Sequence, residues 1–313
     1  MFLVIGLNPT LDVVMRMRAP AFGQLNIADQ SAAFPSGKGM NLARYLAQLG
    51  NDTVLLGFIG RDEAHHFIAT LESSGARQDF VILDAPTRIN VKVIDSDTGE
   101  DTEFNMRGAP VSAEQVAAVE AKLEAMLPHA QAVALTGSLP PGAPASLYAR
   151  WIRRCKQVGV PVALDASGER LRLGLAEHPW LIKVNWFELS QQAGERSVSE
   201  EHALSILREW IAHGAQFAVV TRADRVILAA PAGIWQATTP RLVAQNPVGA
   251  GDALMAGLLS GWGRGLPPAE LLRQACAVAV ASVLSMDPGR FAPSDREAVL
   301  PQIAVTPVED QSA

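Results

Sequence analysis

From about residue 130 onward, short apolar runs alternate with helical patterns, and this alternation limits what the chain can fold into. Residues 132–135, 160–164, 181–184 and 217–221 are apolar runs of strand length. Between them, 144–158 and 201–213 carry helical spacing. Pro144 suits a first helical turn, and Gly214 suits a stop. Strands that alternate with helices are joined by crossovers. The expected fold class is therefore α/β, a mostly parallel central sheet with helices on both faces. Residues 2–5 add a first strand, and no basic leader or cleavage site precedes that run.

The N-terminal third follows another rule. In 88–94 the apolar Ile89, Val91 and Val93 alternate with Arg88, Asn90 and Lys92, the period of a half-buried strand. Ser96-Asp97-Thr98-Gly99 is a turn, and 102–106 returns as a second strand. Such a hairpin has no place inside a parallel sheet. It is expected to form a small β-sheet lid, built from segments near 11–32 and 86–108, on one domain spanning 1–313.

Charge and cysteine usage narrow the function. A net charge of −6 gives no general attraction for nucleic acid or an anionic membrane, so an anionic substrate needs a local cationic pocket. Cys155 and Cys276 lie far apart and fit no metal spacing. They read as reduced core thiols of a cytoplasmic protein. No run approaches the roughly 18 apolar residues of a membrane span. The six histidines show no ligand spacing.

Four short stretches and the separate Asp12 are candidates for chemistry, each with a plainer alternative. Pro247-Val248-Gly249-Ala250-Gly251-Asp252-Ala253 precedes an apolar helix over 254–262. Small residues at such a junction let backbone N–H groups converge, and the helix N-terminus adds positive charge. Gly249, Ala250 and Gly251 would form an anion hole with Asp252 as the base beside it, the minimum for phosphoryl transfer. A glycine turn with Asp252 as a helix cap fits equally well. Ser36-Gly37-Lys38-Gly39-Met40-Asn41 opens a helix over 42–49. Gly37, Lys38 and Asn41 suit an anionic or polyhydroxyl ligand, or merely start a helix. This is no Walker A loop, because Gly39 follows Lys38 and position 32 is not glycine. Arg88 and Asn90 line one face of the lid strand, where Arg88 can fork onto a phosphate or face solvent. Asp12 can cap a turn or hold sugar hydroxyls. Lys183, Asn185 and Glu188 follow a buried strand, where α/β sheets bind ligands, but Asn185 and Glu188 also fit a capping box.

The order of these elements is more specific than any one of them. Asn8 to Asp12, Ser36-Gly37-Lys38-Gly39 with Asn41, Gly57-x2-Gly60-x-Asp62, Thr87 to Lys92, Thr136-Gly137-Ser138-Leu139-Pro140-Pro141-Gly142, Asn185-x2-Glu188 and Gly249-Ala250-Gly251-Asp252 follow one another as in the PfkB, or ribokinase-like, carbohydrate kinases. The resemblance covers the chain to about residue 290 and is nearest the 1-phosphofructokinase and tagatose-6-phosphate kinase branch. It implies a three-layer α/β/α domain with a β-lid, ATP as donor and Mg2+ as helper. It implies fructose 1-phosphate as acceptor, with tagatose 6-phosphate or fructose 6-phosphate as alternatives. Asp252 is implied as base and Gly249 to Gly251 as anion hole. Asp12, Gly37, Lys38, Asn41, Arg88, Asn90 and Ser138 are implied around the sugar phosphate. Lys183, Asn185 and Thr221 fall on the nucleotide side, and Asn185 and Glu188 act on the metal, indirectly. A homodimer through the lid is also implied.

The chain departs from the family pattern on the nucleotide side. Ala223 and Val226 stand where a Ser/Thr-x-Gly-x-x-Gly turn has glycines, Val184 replaces proline, Pro247 replaces threonine and Ala166 replaces serine. These changes leave open a sugar-phosphate binder without catalysis. The retained Gly249 to Asp252 favours an active kinase.

Overall fold

The computed structural model describes residues 1–222 and 225–309. Ala223 and Asp224, and the end of the polar tail, lie outside the described residues. The elements run β1 Phe2–Gly6, β2 Thr10–Met17, β3 Gln30–Ser36, α1 Lys38–Gln48, β4 Thr53–Gly60, α2 Ala64–Ser73, β5 Arg77–Leu83, β6 Arg88–Asp95 and β7 Asp101–Asn105. They continue with α3 Ala113–Met126, β8 Ala132–Thr136, α4 Leu147–Gln157, β9 Val162–Asp165, α5 Gly168–Leu175, β10 Leu181–Asn185, α6 Trp186–Gln192, α7 Glu200–Ala212 and β11 Phe217–Arg222. The last are β12 Arg225–Ala230, β13 Gly233–Thr238, α8 Ala250–Gly263, α9 Pro268–Ser282, α10 Pro293–Val299 and β14 Ala304–Pro307.

Ten strands form one sheet in the order β14-β13-β12-β11-β10-β9-β8-β1-β4-β5. The run from β11 to β5 is parallel, and β12 to β14 add an antiparallel edge. Period-two alternation supplies two cores. Phe2 and Val4 of β1 pack with α1, α8 and α9, while Leu3 and Ile5 pack with α3 and α4 on the opposite face. That is the three-layer α/β/α arrangement. Chain order reverses at β1, which lies between β4 and β8, so the strand C-termini open a crevice there. Thr136, Asp165 and Asn185, which end β8, β9 and β10, and Thr221, one residue before the end of β11, stand on four adjacent strands along it.

The lid is a separate four-stranded sheet, β3-β2-β6-β7, in which β2 and β6 are parallel and the other pairs antiparallel. Its polarity is inverted relative to an ordinary half-buried sheet. Lys92 is 7% exposed while Ile89 is 38% exposed, because the polar side covers the crevice. Three element boundaries differ from the sequence expectation. The helix expected from Pro144 starts at Leu147, since Pro141, Gly142 and Pro144 hold 140–146 in turns. The strand expected from 160 starts at Val162, after Pro161. The helix expected from 254 starts at Ala250, because Gly249 takes a left-handed conformation (φ 86°) that ends the loop early.

Candidate active site

A buried carboxylate organises the crevice floor. Asp165, at the end of β9, is fully buried and accepts hydrogen bonds from Lys38 Nζ at 2.7 Å and Lys183 Nζ at 3.0 Å. Burial alone would raise its pKa, but the two ammonium groups hold it below the usual carboxylate range. Burial likewise opposes the charge on Lys38, yet Asp165, Asp252 and Glu188 together raise its pKa and keep it cationic. The pair thus ties the first residue of α1 to the middle strands and presents fixed positive charge to the crevice.

Asp252 sits in the first turn of α8 and is 5% exposed. It does not cap the helix. Its Oδ2 accepts from Asn41 Nδ2 at 3.0 Å, and Asn41 Oδ1 accepts from Ser36 Oγ at 3.2 Å. Burial pushes its pKa up to about 7; the nearby Asp165 charge adds to the rise, and Lys38 and Lys183 restrain it. A carboxyl that titrates near neutrality is suited to accept a proton. The orphan N–H groups of the first turn of α8 flank it. A Cβ at Gly251 would lie 2.7 Å from Lys183 Nζ, so a side chain there would displace the end of that lysine from the anion hole. Helix α8 is itself buried along 252–261 between α1 and α9, which fixes where its N-terminus points.

The loop into this turn is locked by Asn246, which is 1% exposed. Its Nδ2 donates to Met286 O at 2.9 Å, and its Oδ1 accepts from Val248 N at 3.1 Å. The 287–289 loop is in turn clamped to α1 by the Arg44–Asp287 ion pair at 2.7 Å and by Tyr45 Oη, which accepts from Gly289 N at 2.9 Å.

Two clefts meet at the anion hole. A polar cleft of about 510 Å3 is lined by Asp12, Lys38, Asn41, Arg88, Asn90, Lys183, Asn185 and Gly249 to Asp252. A narrower pocket of about 210 Å3 continues it through Gly37, Lys38 and Arg88 to Ser138 and Glu188. An apolar cleft of about 650 Å3, lined by Val226, Leu254, Cys276, Val280 and Val283, joins the polar one at Thr221, Ala250 and Gly251. Every residue singled out from the sequence therefore borders one connected crevice. Asp12 accepts from Asn90 Nδ2 at 3.2 Å, and burial raises its pKa.

Arg88 has a duty the sequence did not specify, and Asn185 and Glu188 take up one that it offered. Arg88 donates to three backbone carbonyls: Pro9 O at 3.3 Å, Met106 O at 2.8 Å and Asn8 O at 3.0 Å. It pins the lid's base, and two of its five N–H groups remain for a ligand. Asn185 and Glu188 form a reciprocal capping box on α6, with both bonds at 2.8 Å. Glu188 still borders the narrow pocket and spends one carboxylate oxygen on the cap.

A carbohydrate-kinase model, described as the pfkB family, matches residues 4–295. The chain belongs to the PfkB family of carbohydrate kinases. It is thus a phosphotransferase acting on a carbohydrate hydroxyl. The 1-phosphofructokinase of Haemophilus influenzae is 30% identical and is covered over 98% of its length by 97% of this chain. That of Bacillus subtilis is 30% identical, with coverage of 99% and 98% respectively. Among solved structures, phosphofructokinase-2 from Escherichia coli with substrates and products superposes with a TM-score of 0.87 at 23% identity, over 96% of this chain and 98% of the other. Ribokinase from Thermotoga maritima gives 0.75 at 20% identity, over 96% and 99%. Both structures share the PfkB fold seen here.

Sequence reasoning passed over Asp165 and Asn246. Asp165 carried a signal: it is a polar residue closing an apolar strand, the criterion that singled out Asn185. Asn246 carried none, because its partners lie 40 residues away at Met286 and in the adjoining turn.

Proposed function

We propose that this PfkB kinase transfers the γ-phosphoryl group of ATP to a ketohexose phosphate, converting fructose 1-phosphate to fructose 1,6-bisphosphate. The observation that carries the reading is the meeting of a polar and an apolar cleft at Ala250 and Gly251, one side chain away from a buried carboxyl with a pKa of about 7. The names of the relatives support the choice of acceptor.

The acceptor hydroxyls bind among Asp12, Asn41 and Asn90 in the polar cleft, and its reacting hydroxyl faces Asp252. Asp252 takes the proton as that oxygen attacks phosphorus. The N–H groups of the first turn of α8 and the Lys38 and Lys183 ammonium groups hold the charge of the transferring phosphoryl group. The apolar cleft receives the base of the nucleotide, with Thr221 at the junction. No cluster of three metal-ligating side chains occurs among the described residues. Mg2+ keeps several waters and is bound largely through substrate phosphates, so it calls for few protein ligands. Glu188, with Asn185 beside it, is placed to hold such a hydrated ion and would supply charge neutralisation there.

The functional unit in this reading is a homodimer. Phe22, Leu25, Ile27, Phe104 and Met106 are exposed on the lid and its 18–29 loop, and Phe22 meets Phe104 edge to face at 6.2 Å between ring centres. Two buried free thiols suit a reduced cytoplasm, and among the described residues no helix is long and apolar enough to cross a membrane.

A coupled assay with ATP across fructose 1-phosphate, tagatose 6-phosphate, fructose 6-phosphate and free fructose tests the reading. The highest kcat/KM is expected on fructose 1-phosphate. Turnover confined to free fructose would overturn it.

A further inference from the structure

Arg88 joins the base of the lid to the main domain, and a second junction lies near the lid's far end. Arg16 stands on β2 six residues beyond Thr10, roughly 20 Å along the strand. Its Nη2 donates to Gln245 O and lies 4.0 Å from Met286 Sδ. Neither partner belongs to the lid. Gln245 is in the loop that runs into the anion hole, and Met286 is in the segment that braces that loop through Asn246. Both partners are uncharged, so opening this junction strands no carboxylate, as breaking a buried ion pair would.

Period two puts Thr10, Asp12, Val14 and Arg16 on one face of β2. The first three line the polar cleft, and Arg16 stands just past the end of that row. The strand is paired on both sides, with β3 from Thr10 to Arg16 and with β6 from Thr10 to Met17. Such a strand moves as a unit, so a shift of Asp12 relative to the main domain carries Arg16 with it. The other end of the junction is equally direct. Asn246 follows Gln245 and fixes Val248 N with its side chain, and Val248 precedes Gly249, the left-handed residue that opens α8. On its far side the same loop is tied to the end of α9, where Gln245 N and Asn246 N both donate to Val283 O, at 2.8 and 3.2 Å. The loop is thus held between α9 and the lid, and Arg16 supplies a tie on the lid side.

We propose that Arg16 is a positioning residue for phosphoryl transfer, a latch that fixes the loop of the anion hole to the lid strand carrying Asp12. It touches neither reactant and acts through Gln245 and Asn246. An acceptor held by Asp12 and a phosphoryl group held by the first turn of α8 are then kept in register across the crevice. With the latch open, each ligand still has its own contacts, but the distance between attacking oxygen and phosphorus is no longer fixed. Misplacement of that kind lowers the rate of the chemical step more than it weakens binding. This inference rests on the placing of acceptor and donor proposed above.

The test compares wild type with Arg16→Met and Arg16→Lys. Arg77→Met serves as the control, since Arg77 pairs with Asp52 at the opposite end of the strands. Two quantities are read: kcat and KM for ATP with the sugar that wild type turns over fastest, and amide hydrogen exchange across residues 243–252. Arg16→Met is expected to lower kcat roughly tenfold while KM for ATP stays within about threefold. Exchange across 243–252 should quicken about tenfold in the same variant, with β8 to β10 as protected as in wild type. Arg16→Lys keeps a charged donor and should recover most of both losses. A kcat within about twofold of wild type in Arg16→Met would overturn the proposal. So would unchanged exchange at 243–252, or a loss of protection spread evenly over the central sheet. If Arg16→Met folds poorly, Arg16→Gln takes its place under the same criteria. Should wild type phosphorylate no sugar, the functional reading fails and exchange decides the latch alone. Faster exchange confined to 243–252 then supports it, and equal exchange refutes it.

Discussion

The polar and apolar clefts meet at one helix turn but are built on different principles. The polar cleft is a network in which each charged group has a named partner: Asp165 with two lysines, Asp252 with Asn41, Asp12 with Asn90. Its side chains are largely buried and fixed before any ligand arrives. The apolar cleft is larger and is walled mainly by aliphatic groups such as Leu254, Val280 and Val283, with Thr221, Thr239 and Arg241 as its polar residues. A preorganised polar site discriminates sharply, because a wrong ligand leaves buried polar groups unpaired. An aliphatic slot discriminates weakly. On the proposed function, sharp discrimination is therefore expected for the acceptor and loose discrimination for the donor.

The largest expected effect lies where the clefts meet. Asp252→Asn should lower kcat by about 10²- to 10⁴-fold, the usual weight of a general base. Sugar-phosphate affinity by calorimetry should stay near wild type, and the melting temperature should not fall, since a buried carboxyl is replaced by an amide. A variant with near-native kcat would remove Asp252 as the base. The same assignment fixes a pH dependence. The base works deprotonated, so kcat/KM should rise about tenfold per unit up to pH ~7 and level off above it.

Asp165→Asn should act more weakly but on two readouts together. It leaves Lys38 and Lys183 without their shared counterion, so turnover should fall by about tenfold or more, in line with breaking a buried ion network. It also removes a negative charge that raises the Asp252 pKa, so the rising limb of the pH profile should shift to lower pH. A fall in rate with an unmoved limb would mean that Asp165 only holds the fold.

Arg88→Ala should raise KM for a sugar phosphate and also lower the melting temperature, because three carbonyls at the base of the lid lose their donor. A KM effect without loss of stability would assign Arg88 to phosphate alone.

The architecture was legible in the sequence because hydrophobic period decides it. The runs near 132, 181 and 217 became β8, β10 and β11, and the alternation over 88–94 became β6. Boundaries at Pro144, Pro161 and Gly249 were not legible to the residue, since turn chemistry and tertiary contact set them together. The residues of the crevice were legible as an ordered set of motifs. Their partners were less so. Asp252 looks like a helix cap until Asn41, 211 positions away, is seen to hold it. Arg88 looks like a free cation until the carbonyls of Asn8, Pro9 and Met106 surround it. The sense of the lid strand was hidden for a related reason, because alternation gives two faces without saying which one covers a crevice. The loss of glycine at position 223 falls outside the described residues. At Val226 the structure shows a strand residue that lines the apolar cleft instead of a turn.

The contrast between the clefts can be measured directly as two ratios from one enzyme preparation. One is kcat/KM for fructose 1-phosphate over free fructose at saturating ATP. The other is kcat/KM for ATP over GTP at saturating fructose 1-phosphate. The account predicts a first ratio of roughly 10²-fold or more, from charge-assisted contacts in a fixed site, and a second within about tenfold. Strong rejection of GTP together with near-equal use of the two acceptors would contradict it.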